Sequence, residues 1–264
     1  MKAWFEGKSA AEPSPVNVAD VHKSYRRGNT DVSVLAGVNL RIESGQCVFL
    51  TGPSGSGKST LLSILGCILT ADSGEVRLFD IESSSLDERS RVHLRRNRIG
   101  FVFQRFQLIR GLSALENITV PMVLRGDTPR EMRERATELL EAVGLQAHSR
   151  AHPNQLSSGQ CQRVAMARAL ALNPDLILAD EPTAALDSQN GHEVMQLLRR
   201  LTTTRGKTAV VVTHDQRIFS YADRLCRLDE GKLTETTIKR RANSQSLPVD
   251  LNLPDGNLTD VYQT

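Results

Sequence analysis

The stretch CVFLTGPSGSGKSTLLSILG, residues 47–66, decides how the rest of the chain is read. It opens with a continuous apolar run of strand length, the mark of a strand buried on both faces. Gly52 to Ser59 then fit the spacing G-x-x-x-x-G-K-[ST], and the residues that follow can continue as a helix. Gly52, Gly55 and Gly57, with Pro53, Ser54 and Ser56 between them, let successive backbone N–H groups converge on phosphate oxygens. The positive end of the following helix, which begins at Lys58, Ser59 and Thr60, adds to that attraction. Lys58 reaches the β- and γ-phosphates, and the Ser59 hydroxyl is placed for Mg²⁺. The pattern is that of a nucleoside triphosphate site, and by itself it does not choose among kinases, GTPases and motor ATPases.

Working outward, RIGFVF (98–103), DLILAD (175–180) and TAVVVTH (208–214) are further short apolar runs, each followed by loop or helix signals, as in a parallel sheet. Upstream, β-branched residues predict strands over 16–25 and 38–42, with RRGNTD as the turn, so an antiparallel β portion precedes the sheet. Between Gln104 and His152 the pattern turns helical. Thr128-Pro129 reads as a capped start, with apolar positions at Met132, Ala136, Leu139, Leu140 and Val143. The domain is expected over 16–238, with an inserted helical subdomain at about 104–156. Residues 1–15 read as a loose leader and 239–264 as a polar, extended tail.

The totals exclude several classes. Thirty-three Lys and Arg against 30 Asp and Glu leave a net charge of +3, too small to imply nucleic-acid binding unless it is gathered on one face. Cys47, Cys67, Cys161 and Cys226 lack both metal-ligand and disulfide spacing and read as reduced, buried thiols. Nowhere is there the run of about 18 apolar residues that a membrane helix needs.

Two other stretches bear on chemistry. LILADE (176–181) ends a buried strand in two carboxylates: Asp180 is placed to hold the Mg²⁺ shell, and Glu181, on the other face of the pleat, to polarise an attacking water. LSSGQ (156–160) leads into helical spacing, with Val164, Ala165, Ala169 and Leu172 as an apolar stripe and Arg163 and Arg168 off it. It is a helix start, which offers free N–H groups and a positive dipole end to an anion. A Ser-Ser-Gly helix cap is, taken singly, more often just a cap.

With LSSGQ between the phosphate loop and LILADE, the chain resembles the ATP-binding-cassette (ABC) ATPases from Val16 to about Glu235. Tyr25 resembles the aromatic that stacks on adenine, Gly52 to Ser59 the Walker A loop, Gln104 the Q-loop glutamine and LSSGQ the family signature. LILADE is similar to Walker B, Asp187 in AALD to the D-loop aspartate, and His214 in VVTHD to the switch histidine. The resemblance implies a P-loop NTPase (RecA-like) α/β core with an antiparallel β subdomain and an inserted helical subdomain. It implies ATP and Mg²⁺, with Glu181, His214 and Gln104 catalytic, and Ser59, Gln104 and Asp180 around the metal. It also implies a head-to-tail dimer in which Ser157, Ser158, Gly159 and Gln160 of one chain face the γ-phosphate held by the other, with Asp187 shaping the interface. Two positions depart from the common pattern: Ser158 replaces a glycine, and Cys161 stands where a polar residue is frequent.

Residues 103–126 and 66–80 are similar to the lipoprotein-release, macrolide-export and DevA-type exporter ATPases. That implies a separate transmembrane permease with a large extracytoplasmic domain, often a periplasmic adaptor, no nucleic acid, and a peripheral place on the cytoplasmic face of the inner membrane. A cell-division-type ATPase that regulates wall hydrolases without cargo carries the same motifs. The basic run RSRVHLRRNR (89–98) reads either as a solvated helix face or as a neighbour of anionic headgroups.

Overall fold

The computed structural model describes residues 14–28 and 30–237. In chain order its strands are β1 (Val16–Arg27), β2 (Thr30–Ile42), β3 (Cys47–Thr51), β4 (Ser73–Leu78), β5 (Ile81–Glu82), β6 (Ile99–Val102), β7 (Leu176–Asp180), β8 (Thr208–Val212), β9 (Arg224–Asp229) and β10 (Lys232–Thr237). The helices are α1 (Lys58–Leu65), α2 (Glu88–Arg98), α3 (Ala114–Arg125), α4 (Pro129–Ala142), α5 (Ser158–Ala169) and α6 (Ser188–Arg205). Among the described residues the strands form a four-stranded sheet, β2-β1-β4-β5, and a six-stranded sheet, β10-β9-β3-β8-β7-β6. The first is antiparallel throughout, and β9, β3, β8, β7 and β6 of the second run parallel.

Strand alternation explains why the central strands are apolar at every position. Val48, Leu50, Leu176, Leu178, Val210 and Val212 face a core shared with α1 and the antiparallel sheet. Cys47, Phe49, Ile177, Ala179, Ala209 and Val211 face a second core with α3, α4, α5 and α6. Both faces are covered, so neither tolerates a polar row. All four cysteines are buried.

The helix ends follow local chemistry. Ser113 and Glu116 at α3, and Thr128 and Glu131 at α4, form reciprocal capping boxes, and Pro129 occupies the first turn of α4. Four of the five arginines of α2 are engaged with the protein. Arg91 reaches Glu88 and Thr70, Arg95 the carbonyl of Cys67, Arg96 the carbonyl of Leu124, and Arg98 pairs with Asp175.

Two local expectations are corrected. The first hairpin closes within RRGNTD, where Arg27 pairs with Thr30, but β2 begins eight positions before Val38, at Thr30. There the ladder needs only backbone groups, so exposed polar residues extend it. Residues 104–112 are a loop, and helix begins only at Ala114. Strands β4, β5, β9 and β10 were not read from the sequence; β5 has two residues and, like β10, lies at a sheet edge. The expected tail and most of the expected leader lie outside the described residues.

Candidate active site

The C-terminal ends of β3, β6, β7 and β8 open on one edge of the parallel sheet, the place where such sheets bind ligands. Gly52 leaves β3 with φ +139°, and a Cβ there would lie 2.0 Å from the carbonyl oxygen of Leu228 on β9. No other residue fits so close to a neighbouring strand. The loop ends at Gly57, φ +101°, which precedes α1 without a side-chain cap, so the first-turn N–H groups of that helix remain for a ligand. Lys58 arches back over the loop, donating from Nζ to the carbonyls of Gly52 at 2.9 Å and Pro53 at 2.7 Å.

A cavity of about 610 Å³ lies over this loop. Gly52, Ser54, Gly55, Gly57, Lys58, Ser59 and Thr60 line it from one side, and Gln104, Asp180, Glu181 and His214 from the other, with Val34 and Val212 completing the wall. Pro53 and Ser56 belong to the loop without lining the cavity, and Ser56 is buried.

The two carboxylates sit in different settings. Ser59 Oγ stands 3.5 Å from Asp180 Oδ1. Burial raises the Asp180 carboxyl above its ordinary range, and neighbouring Glu181 adds to the effect, while the Ser59 hydrogen bond and Lys58 oppose it. Glu181 turns away at φ +47°, its N–H donating to the Val212 carbonyl at 2.8 Å. Its side chain, 11% exposed, places Oε1 2.7 Å from Nδ1 of His214, whose side chain is 72% exposed. A carboxylate only accepts, so Nδ1 carries the hydrogen in this pair and Nε2 remains for another partner.

The strand end that carries His214 is fixed by its neighbour. Asp215 accepts from Thr183 Oγ1 at 3.2 Å and from Arg217 Nε and a terminal nitrogen at 2.8 Å. Its carboxyl is held down at about 2, first by Arg217, against an opposing desolvation. A depressed carboxyl stabilises the fold fully above its unfolded value near 4, and that contribution is lost as pH falls toward 2. The urea midpoint of Asp215→Asn is therefore expected to lie below that of the parent at pH 7, with the gap narrowing below about pH 4. An unchanged gap at pH 3 would contradict the assignment.

LSSGQ is a helix start. Ser157 caps α5: its Oγ accepts from Gln160 N at 3.2 Å, and its own N–H donates to Gln160 Oε1 at 2.8 Å. Ser158 is exposed, whereas Gly159 is buried, and a Cβ on it would fall 2.6 Å from Oδ1 of Asn190. Asp187, which caps α6, holds Asn190 at 2.6 Å through Nδ2. The second glycine of the usual motif is thus retained where space demands it, and the serine stands where there is room. Gly159→Ala is expected to lower stability by about 1–3 kcal/mol by overpacking, and Ser158→Gly by about 1 kcal/mol at most. Urea unfolding ranks the two.

The predicted residues therefore fall into separate groups. Among the described residues, the cavity lining does not include Ser157, Ser158, Gly159, Gln160, Asp187 or Tyr25. Tyr25 lies on β1 opposite Val32, 41% exposed, with the Lys23 ammonium 5.8 Å from its ring centre. Sequence reasoning missed Asn190, Val34 and the Asp215 clasp, because each depends on which elements meet. It also left Arg168 off the apolar stripe without a partner, although that half-buried side chain bonds to the carbonyls of Phe106 and Gln107.

A family model described as ABC transporter matches residues 35–184. An uncharacterised ABC transporter ATP-binding protein of Methanocaldococcus jannaschii, MJ0796, is 46% identical over 222 residues, covering 83% of this chain and 94% of that protein. The macrolide export ATP-binding/permease protein MacB of Shigella sonnei is 44% identical over 218 residues, and the chain spans only 34% of that longer protein. Among solved structures, the dimeric post-hydrolysis MJ0796 cassette bound to ADP and Pi superposes with a TM-score of 0.80 at 44% identity, covering 86% of this chain and all of that one. The cbiO1 protein of Clostridium perfringens gives 0.77 at 29% identity, covering 86% of this chain and 89% of its own. With a phosphate loop, two strand-end carboxylates and a histidine around one cavity, the chain is a member of the ABC transporter family, an ATP-binding and ATP-hydrolysing cassette.

Proposed function

We propose that the chain works as a head-to-tail dimer around two ATP molecules and drives a separate permease, as an exporter of lipid, lipoprotein or other hydrophobic compounds. One observation carries the dimer: the cavity holds a phosphate loop and hydrolytic candidates, while the second anion-binding helix start, at Ser157, lies outside its lining. A second chain supplies that helix start to the γ-phosphate. The dimeric MJ0796 structures support this reading.

Within each half-site, Lys58 exchanges its loop carbonyls for β- and γ-phosphate oxygens. Ser59, Asp180 and Gln104 offer hydroxyl, carboxylate and amide oxygens, the donor set of a hard cation. Among the described residues no group of three or more His, Cys, Asp or Glu forms a complete metal cage. Ser59, Asp180 and Gln104 would suit Mg²⁺, which when bound would neutralise phosphate charge. Glu181 polarises the attacking water, and His214 orients the Glu181 carboxylate through Nδ1. Tyr25 stacks on the adenine. Asp187 shapes the dimer interface through the Asn190 contact under Gly159. ATP thereby bridges two chains, so binding favours closure and hydrolysis releases it.

Because each site is shared, specific ATPase activity is expected to rise with protein concentration in the dilute range. Strictly proportional activity down to dilute monomer would overturn the shared site.

No helix among the described residues is long and apolar enough to cross a membrane, so attachment at the cytoplasmic face of the inner membrane runs through the permease. The MacB relatives support that partner, since their names join ATP-binding to permease and the chain spans about a third of their length. The test is to tag Glu181→Gln in its native cell, extract membranes with ATP present and identify what co-purifies. A permease with a large extracytoplasmic domain, together with a periplasmic adaptor, supports export. A division-type permease with wall-hydrolase regulators replaces export with mechanical signalling, and the absence of any membrane partner overturns both.

A further inference from the structure

Arg168 occupies the last turn of α5, at the end opposite LSSGQ. Its guanidinium donates to the carbonyl of Gln107 at 2.6 Å and to that of Phe106 at 2.7 Å. Those two residues both adopt left-handed backbone, φ +56° at Phe106 and +51° at Gln107, a conformation that is strained for a non-glycine residue. One planar fork therefore takes two adjacent carbonyls that only this strained turn presents together. Partial burial lowers the guanidinium below its ordinary range.

The same loop is held at its far end. Asn117, fully buried on α3, accepts from Ile109 N–H at 2.8 Å and donates to the carbonyls of Ile109 at 3.1 Å and Leu112 at 3.0 Å. Residues 106–112 are thus fastened to α5 and α3, whereas residues 99–102 belong to the parallel sheet. Phe103, Gln104 and Arg105 run between the end of β6 and this fastened loop, and Gln104 lines the nucleotide cavity.

We propose that Arg168 is a positioning residue: it fastens the loop behind Gln104 to the signature helix, so that Gln104 and the LSSGQ helix start are set together. Any shift of α3 and α5 against the sheet is then delivered to Gln104, and nucleotide contact at Gln104 biases how α5 is presented to the second chain. This rests on the dimer reading above.

The experiment compares Arg168→Met and Arg168→Lys with the parent chain, using Arg163→Met as a control that removes an α5 arginine paired instead with Glu193. Binding of a fluorescent ATP analogue should stay within about twofold, because the phosphate loop is untouched. Amide exchange across 104–107 should quicken about tenfold or more, with kcat and ATP-driven dimerisation in the Glu181→Gln background each weakened about tenfold, the scale of one charge-assisted contact. Arg168→Lys keeps the charge and stem but loses the fork, so it should fall between parent and Met, and Arg163→Met should match the parent. If Arg168→Met does not fold, the same readouts on Arg168→Lys decide. Unchanged kcat and dimerisation alongside faster loop exchange would overturn the positioning role. A parent chain that neither hydrolyses ATP nor dimerises would overturn the dimer reading, and this proposal with it.

Discussion

Glu181→Gln is expected to lower ATP turnover by about 10²–10⁴-fold, the range associated with losing one general base, while leaving ATP bound. The substitution keeps side-chain volume but removes the charge and the capacity to take a proton, and turns one oxygen into an NH2 donor. The amide oxygen still accepts from Nδ1 of His214, so the 2.7 Å contact survives with its geometry. The turn that aims residue 181, with φ +47° and a backbone bond to Val212, does not depend on the side chain. With hydrolysis removed and phosphate contacts intact, the ATP-bound dimer should accumulate. Phosphate release measured beside size-exclusion chromatography in ATP checks both halves. Normal hydrolysis by this variant would remove Glu181 from its assigned role.

Lys58→Ala should fail at the earlier step. The ammonium makes 2.9 and 2.7 Å bonds to loop carbonyls, which shows that Nζ already reaches over the loop where phosphates would lie. Exchanging those carbonyls for phosphate oxygens adds a charge-assisted interaction of about 1.5–3 kcal/mol, so its loss should weaken ATP binding about 10- to 100-fold. The fold should tolerate the change, since Leu61, Leu62, Ile64 and Leu65 carry the packing of α1. Titration calorimetry separates the two variants. Glu181→Gln binds and does not turn over, whereas Lys58→Ala turns over poorly because it binds poorly. Full affinity in Lys58→Ala would overturn the phosphate contact.

The parts legible in the sequence share one property: each is written in consecutive residues. The phosphate loop, the carboxylates at the end of β7, the histidine after β8 and the serine cap of α5 each follow from local backbone chemistry. The apolar runs declared a parallel sheet because a strand covered on both faces leaves no room for polar alternation. The edge strands β5 and β10 escaped notice because an exposed ladder is satisfied by backbone bonds and constrains side chains weakly.

Contacts between distant residues were another matter. Nothing in LSSGQ reveals that Gly159 must lack a Cβ because Asn190 lies against it, or that Ser158 stands in open space. Nothing around Arg168 indicates that its guanidinium meets the left-handed turn at Phe106 and Gln107. The sequence by itself determined the chemistry available to this protein: a phosphate cradle, two carboxylates, a histidine and a second anion-binding helix start. Tertiary structure decided which of these share a cavity. Strand order brings the ends of β3, β6, β7 and β8 to one sheet edge, and α5 carries its helix start outside that cavity, because relative position is set by packing between elements that no local pattern encodes.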